Sequence, residues 1–387
     1  MKNPADAVKL FLGVVCAAGA VLAGCTGFTG SVPAALPAPS AVPTASPAPT
    51  ASPAPSPTPQ PNVTLAFTGD VNFADDWYNM RHYAATAGVA DCFGPQLLAE
   101  MQAADVLLCN NEFAFSSRGA PMPGKTYTFC ADPQNVSIWE QLGADIVSLA
   151  NNHCFDYGQD AFLDTLDTLS AAGIAYVGAG RDLEEAMQPR YFTVQGLTIG
   201  YVACTRAEKY ILTPEAGEGS PGVLRCYQPE LAVQAVAQAR EHCDYLVVYV
   251  HWGTEGSTRL EQAQTDLATQ LAEAGADLIV GAHPHVLQGA GWRGETPVLY
   301  SLGNFWFNME TEDTALLTVT LTGPGAENAT VRLLPCVQAG GRTSLLQDPQ
   351  ERARILNHLN AVSENGWFDE NGVLHPAGHA PAQDGTP

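Results

Sequence analysis

Five apolar runs in this 387-residue chain each lead into a carboxylate, a carboxamide or an imidazole. Val63 to Thr68 is followed by Gly69-Asp70, and Asp105 to Cys109 by Asn110-Asn111-Glu112. Ile146 to Leu149 leads to Asn151-Asn152-His153, Tyr245 to Val250 to His251-Trp252-Gly253, and Leu278 to Val280 to His283-Pro284-His285. Short apolar runs bounded in this way read as buried strands. Stretches of helical character lie between them: Val136 to Leu142, Phe162 to Ala172 stopped by Gly173, Pro229 to His242, and Thr265 to Ala274. Ile174 to Val177 and Val298 to Ser301 are further short strands. Phe192 to Val194 and Thr198 to Ala203 read as a hairpin across Gln195-Gly196, and the alternation in Ala315 to Leu321 predicts an antiparallel or mixed portion. Helices alternating with buried strands predict an α/β domain. In such a sheet the carboxyl ends of the strands share one edge, where ligands bind. Polar groups spread from Asp70 to His285 are thereby expected to converge.

Taken singly, each group has an ordinary explanation. Asp70 suits a turn or helix cap, Glu112 a solvated loop acid, and Asn152 a turn. His251 suits a satisfied core histidine, and His283 and His285 a surface loop. The joint placement argues otherwise, because four of the nine histidines fall in these motifs, each behind an apolar strand. Carboxylate, amide oxygen and imidazole suit Mn, Fe or Zn, and the motifs hold no thiolate. Two such ions about 3.5–4 Å apart can clamp a phosphate ester and activate a bridging water. A centre of that kind needs a bridging carboxylate, several imidazoles, an amide oxygen and a further histidine as general acid. No phosphate-binding P-loop and no Gly-x-Ser-x-Gly elbow is present.

Aspartate and glutamate total 40 against 17 lysines and arginines, a net charge of -23. With no basic stripe to release counterions, this excludes a nucleic-acid partner. The first 25 residues have the layout of a secretory signal, with Lys2 and Lys9 ahead of a short apolar run from Leu10 to Leu22. Leu22-Ala23-Gly24-Cys25 resembles a bacterial lipobox, which makes Cys25 the expected lipidation site. The expected location is the extracytoplasmic face of the cell membrane, held by an N-terminal lipid. Residues 26–61 are rich in Pro, Ala, Ser and Thr and carry no charge. Such a linker stays extended and can reach on the order of 100 Å. The globular domain is expected at residues 62–346, and residues 347–387 as a helix, Pro349 to Asn360, with a flexible tail. Eight cysteines remain beyond Cys16 and Cys25, irregularly spaced and without a C-x-x-C pair. An even count outside the cytoplasm invites disulfides, but a domain of this size does not need them.

Several strings carry a family resemblance. Phe67-Thr-Gly-Asp-Val, Ser148-Leu-Ala-Asn-Asn-His with Asp156-Tyr-Gly, Val250-His-Trp-Gly-Thr-Glu255, Gly281-Ala-His-Pro-His-Val-Leu-Gln288 and Ser301-Leu-Gly-Asn-Phe305 resemble the CapA (PgsA) family. These bacterial capsule-synthesis proteins are linked to poly-γ-glutamate. The family looks like a branch of the calcineurin-like metallophosphoesterases, which implies a four-layer α/β/β/α sandwich with mixed sheets. Carried over motif by motif, the resemblance implies two divalent ions. Asp70 would bind the first, Glu112 would bridge, and Asn152 would bind the second. His251, His283 and His285 would complete the set, His153 would donate a proton, and Glu255 would orient His251 or face substrate. Asn304 would shape the floor of the site.

The match has departures. The usual Asp-x-His reads Asp70-Val71-Asn72, so one imidazole is missing and Asn72 is expected to face substrate instead. Cys130 stands where the family often has an arginine, which leaves Lys125, Arg118 or Arg206 to hold an anion. Three readings stand at this point. The first is a lipid-anchored, metal-dependent phosphoesterase serving envelope-polymer synthesis. The second is a non-catalytic subunit that binds or exports polyglutamate together with capsule-synthesis membrane proteins. The third is a wall-associated module with structural metal. A strongly acidic chain is ill suited to a polyanion without a local basic groove or bridging cations.

Overall fold

A computed structural model gives the structure of residues 61–208 and 212–378. The expected signal segment, Cys25 and the linker through residue 60 lie outside the described residues, as do residues 379–387. No helix among the described residues is long and apolar enough to cross a membrane.

Two mixed sheets carry the structure. The first runs, edge to edge, Arg342–Leu345, Ala329–Ala339, Glu312–Leu321, Val63–Val71, Val106–Asn111, Ile146–Ser148 and Ala175–Val177, with Asn304–Trp306 beside the end of Val63–Val71. Val63–Val71, Val106–Asn111, Ile146–Ser148 and Ala175–Val177 pair in parallel, and Glu312–Leu321 joins antiparallel. The second runs Leu287–Arg293, Thr296–Leu302, Leu278–Ala282, Tyr245–His251, Leu197–Thr205 and Arg190–Val194. Its four inner strands are parallel and its two edges antiparallel. The predicted hairpin forms, with Gln195 and Gly196 at φ 49° and 86°. Two successive positive φ angles match the right-handed twist of the flanking strands.

Side-chain alternation assigns the layers. From the first sheet Val63, Leu65, Phe67, Val106 and Leu108 point into one core. From the second, Ile199, Tyr201, Tyr245, Val247 and Tyr249 meet them there. Ala66, Leu107 and Cys109 face the other way, onto Leu97, Trp139, Phe162 and Leu166 of helices Pro95–Ala103, Ser137–Leu142 and Gln159–Ala171. Val202, Cys204, Leu246 and Val248 face Ala235, Val236, Leu267 and Leu271 of helices Glu230–Arg240 and Gln262–Glu273. A strand buried on both faces loses its polar alternation, which is why these runs read as continuously apolar. The result is the expected α/β/β/α sandwich.

The C-terminal segment forms the expected helix and continues as a hairpin, with described structure through Gly378. Helix Pro349–Val362 buries Ile355, Leu356 and Leu359 in the core between the sheets, and the hairpin Gly366–Phe368 with Leu374–Pro376 adds Phe368 and Leu374. These few apolar residues are spaced among Asn, Glu and Gly, so composition alone hides them. The open question of the cysteines is also answered: all eight from Cys92 to Cys336 are free thiols. Burial pushes Cys109 and Cys336 up to about 12, so they behave as small apolar side chains.

Leu359→Ala is expected to destabilise the protein by roughly 2–5 kcal/mol, because a buried leucine leaves a cavity. Urea denaturation measures this. A loss below about 0.5 kcal/mol would place the C-terminal helix outside the cooperative unit.

Candidate metal centre

The five polar strand ends come from both sheets. Asp70, Glu112 and the Asn151-Asn152-His153 turn end or follow strands of the first sheet, and His251, His283 and His285 end or follow strands of the second. Close backbone approach makes this junction possible. A Cβ on Gly69 would overlap the carbonyl oxygen of Gly303, and one on Gly281 would overlap Tyr300 and Trp252. His283 and His285 hold φ angles of 96° and 59° on either side of Pro284. Non-glycine residues in that region are strained, and such strain persists only where surrounding contacts over-determine the backbone. Here the His283 N–H donates to Asp70 at 3.3 Å, and the Asn304 N–H to the His285 carbonyl at 3.3 Å.

Glu112 is fully buried, and its Oε1 has no hydrogen-bond partner. That orphan oxygen lies 3.6 Å from His251 Nε2 and 3.9 Å from the Nε2 atoms of His153 and His285. His251 Nε2 is also 2.7 Å from Asn152 Oδ1 and 3.0 Å from His283 Nδ1. One ring nitrogen cannot serve all these neighbours by hydrogen bonding, whereas a cation among them would satisfy every lone pair. Asp70 Oδ2 lies 3.1 Å from His285 Nδ1. The donors form two groups that share Glu112: Asp70, Glu112 and His285 in one, and Glu112, His251 and His283 in the other. Buried carboxylates and neutral imidazoles fit divalent metal ions.

Protonation supports the fit. Burial, then the neighbouring His283, pushes His251 well below its ordinary value, and burial with His285 lowers His283 to about 3. Both therefore offer free lone pairs near neutrality. Burial, then the charge of Asp70, raises Glu112 well above the usual range. Burial acts on Asp70 in the same sense, but the hydrogen bond and charge of His285 outweigh it and lower Asp70. For His285 the hydrogen bond with Asp70 outweighs burial and raises it.

His153 sits beside this cluster in a separate network. Its Nδ1 is 2.6 Å from Asp156 Oδ2, and its backbone N–H donates to Asn151 Oδ1 at 3.0 Å. Phe129 lies against its ring with centroids 4.5 Å apart. Lys125 Nζ pairs with Asp156 Oδ1 at 2.7 Å and Glu208 Oε1 at 2.8 Å, and donates to the Asn152 carbonyl. Its ammonium thus holds the His153 turn. Arg118 is half exposed and engaged by Asp164 and Asp160 of helix Gln159–Ala171. Arg206 faces Glu261 at 3.8 Å and stacks on Tyr227. Among these three, no side-chain hydrogen bond or ion pair reaches Asp70, Glu112 or the clustered histidines, although the Arg206 backbone N–H donates to the His251 carbonyl at 2.8 Å.

Asn72 turns its Oδ1 to the Ala74 N–H at 2.7 Å, so its carbonyl caps its own loop, while its Nδ2 is buried without a partner. Asn304 Oδ1 contacts His285 Nδ1 at 2.9 Å and its Nδ2 donates to Glu312, which makes it a second support for that ring. Glu255 is exposed and groups with His283 and His285. Sequence reasoning overlooked Asn110, whose Nδ2 donates to Asp70 Oδ1 at 2.8 Å and Glu112 Oε2 at 3.2 Å. It also overlooked Asn151, which bonds Asn110 and the Asn111 carbonyl. The doubled asparagines at both strand ends were the available signal.

A sequence model of the family described as "Bacterial capsule synthesis protein PGA_cap" matches residues 64–309. The chain is 32% identical over 245 residues to the PGA biosynthesis protein CapA of Bacillus subtilis (strain 168), covering 62% of this chain and 63% of that protein. It is 29% identical over 259 residues to the capsule biosynthesis protein CapA of Bacillus anthracis, covering 65% and 62%. The chain therefore spans less than two thirds of the length of these two relatives. Among solved structures, a novel phosphatase from Mycoplasma pneumoniae is similar with a TM-score of 0.46 and 12% identity, over 73% of this chain and 95% of that one.

A raised carboxyl favours ionisation in the unfolded chain, so metal-free protein is expected to lose stability as pH rises above the ordinary value of 4.5 for Glu112. Metal-free Glu112→Gln should then melt higher than metal-free wild type at pH 7, by roughly 2–4 °C for each kcal/mol relieved, with the gap closing at acid pH. Scanning calorimetry across pH checks this. An equal or lower Tm at pH 7 would show that the carboxylate is satisfied without metal.

Proposed function

Since the chain belongs to the bacterial capsule synthesis protein family PGA_cap, we propose that it is a lipid-anchored, extracytoplasmic, metal-dependent hydrolase of phosphate esters serving capsule or envelope-polymer synthesis. The observation that carries this reading is His153. It stands at the rim of the donor cluster with its own carboxylate partner, an arrangement that pure metal storage does not require. Asp70, Glu112 and His285 would hold one ion, and Glu112, Asn152, His251 and His283 the other. Bound there, the ions would supply charge for a phosphoryl group and an activated water.

The chain's own residues do the rest. Asp156 accepts from His153 Nδ1 and selects the tautomer and ring orientation, leaving Nε2 turned to the cluster. With both ring nitrogens protonated, the Nε2 proton can pass to a leaving-group oxygen, which leaves the neutral ring with its Nδ1–H on Asp156. Lys125 neutralises Asp156 and Glu208 and fixes the turn that presents His153. Phe129 against His153 and Phe307 against His285, at centroid distances of 4.5 and 4.9 Å, shield the two imidazoles from water.

The relatives' names refer to capsule and PGA biosynthesis, which supports envelope-polymer synthesis as the setting and capsule-synthesis membrane proteins as partners. Cys25 at the end of a signal-like run supports attachment by lipid to the outer face of the membrane. Cys25→Ser is expected to move the protein from the membrane fraction to the soluble fraction. Unchanged fractionation would exclude the lipid anchor.

With Mn, Fe or Zn supplied, the protein is expected to hydrolyse a generic phosphate monoester or diester. His153→Ala should lower kcat by about 10²–10⁴ while metal content holds. His283→Ala should lose metal as well as turnover. Bound metal with no turnover on either ester class would favour the second reading, a polymer-binding or export subunit.

A further inference from the structure

Asn72 leaves the donor cluster one group short on one side. Where the family pattern has an imidazole, the Asn72 carbonyl oxygen is committed to the Ala74 N–H at 2.7 Å. The group around Asp70 and His285 then holds three side chains, Glu112 included, while the group around His251 and His283 gains Asn152 as a fourth. A third convergence lies across the two: Glu255, His283 and His285 bring one donor atom each to within 4.8 Å of one another.

Glu255 reaches this position through a tightly specified loop. Gly253 and Gly256 hold φ angles of 91° and 71°, and the Gly256 N–H donates to the carbonyl of Pro284 at 2.8 Å. Pro284 is the residue between the two histidines, so the loop carrying Glu255 is pinned to the segment that carries them. Among the described residues the Glu255 carboxylate has no hydrogen-bond or ion-pair partner. Its carboxylate lies beyond ion-pair contact with either imidazole yet within 4.8 Å of both, so a small side-chain rotation brings the three donors onto one cation.

We infer that Glu255 is a metal ligand, and that its carboxylate replaces the imidazole missing at position 72 and closes the solvent-facing side of the centre. This rests on the metal-centre reading above. The exchange of imidazole for carboxylate makes the Asp70 side of the centre rich in hard oxygen donors, which favours Mn over Zn at that ion.

The test is metal binding by the purified full chain in detergent, read by elemental analysis and Mn titration calorimetry, with circular dichroism to show that each variant is folded. Wild type is expected to bind two ions. Glu255→Ala should keep one at wild-type affinity and bind the other at least tenfold more weakly, and Glu255→Gln should behave alike. Because His285 belongs to the same ion, Glu255→Ala added to His285→Ala should cause no further loss. Two ions in Glu255→Ala with affinities within twofold of wild type would overturn this assignment alone. A further loss in the double variant would also overturn it, by placing Glu255 on the other ion. A folded wild type that binds no metal would overturn both the assignment and the reading beneath it.

Discussion

A carboxylate buried with one oxygen unpartnered is the constraint on which the centre depends. Glu112 sits among Asp70 and three imidazole nitrogens, and the free chain gives its Oε1 nothing to accept from. Leaving a buried charge uncompensated is costly, so the surrounding fold must hold the group in place against its own preference for water. Two sheets converge on it, and Asn110 ties Glu112 to Asp70 through a single amide. The strained backbone at His283 and His285 is part of the same burden. Stability given up locally is what keeps donor atoms aimed at a common point rather than at each other.

The remainder of the structure supplies that stability from a distance. Three apolar layers, one between the sheets and one outside each, bury the strands up to the residue where each becomes polar. The C-terminal helix and hairpin plug the central layer with five apolar side chains. Around the centre, support is polar and redundant: Asp156 and Asn151 hold His153, Asn304 holds His285, and Lys125 holds Asp156. His153 and His285 therefore each have a supporting partner of their own, and no single loop carries the geometry.

Much of this was legible residue by residue. Apolar runs marked the parallel strands because both of their faces are buried, and the polar residue behind each run marked the edge where they end. The missed strands, such as Ala329–Ala339, alternate buried and exposed positions and include Pro335, so they lack a continuous apolar signature. Asn110 and Asn151 were in view but indistinguishable from turn asparagines, since their role lies in bonds to residues 40 positions or so away. Lys125 and Arg118 looked alike as free cations near the motifs. Their carboxylate partners, Asp156 and Asp164, were 31 and 46 residues away in sequence and invisible as partners until the chain was folded.

Sequence alone determined the α/β class, the donor inventory of Asp70, Glu112, Asn152 and the histidines, and the absence of an imidazole at position 72. These follow from local patterning and residue chemistry. Tertiary structure decided that these side chains come from two sheets, that they divide into groups sharing Glu112, and that Glu255 comes near His283 and His285 while Lys125 and Arg118 are paired with other carboxylates. Those outcomes depend on which strand ends abut and which charges are already paired, and such pairings are made by packing between segments far apart in the chain.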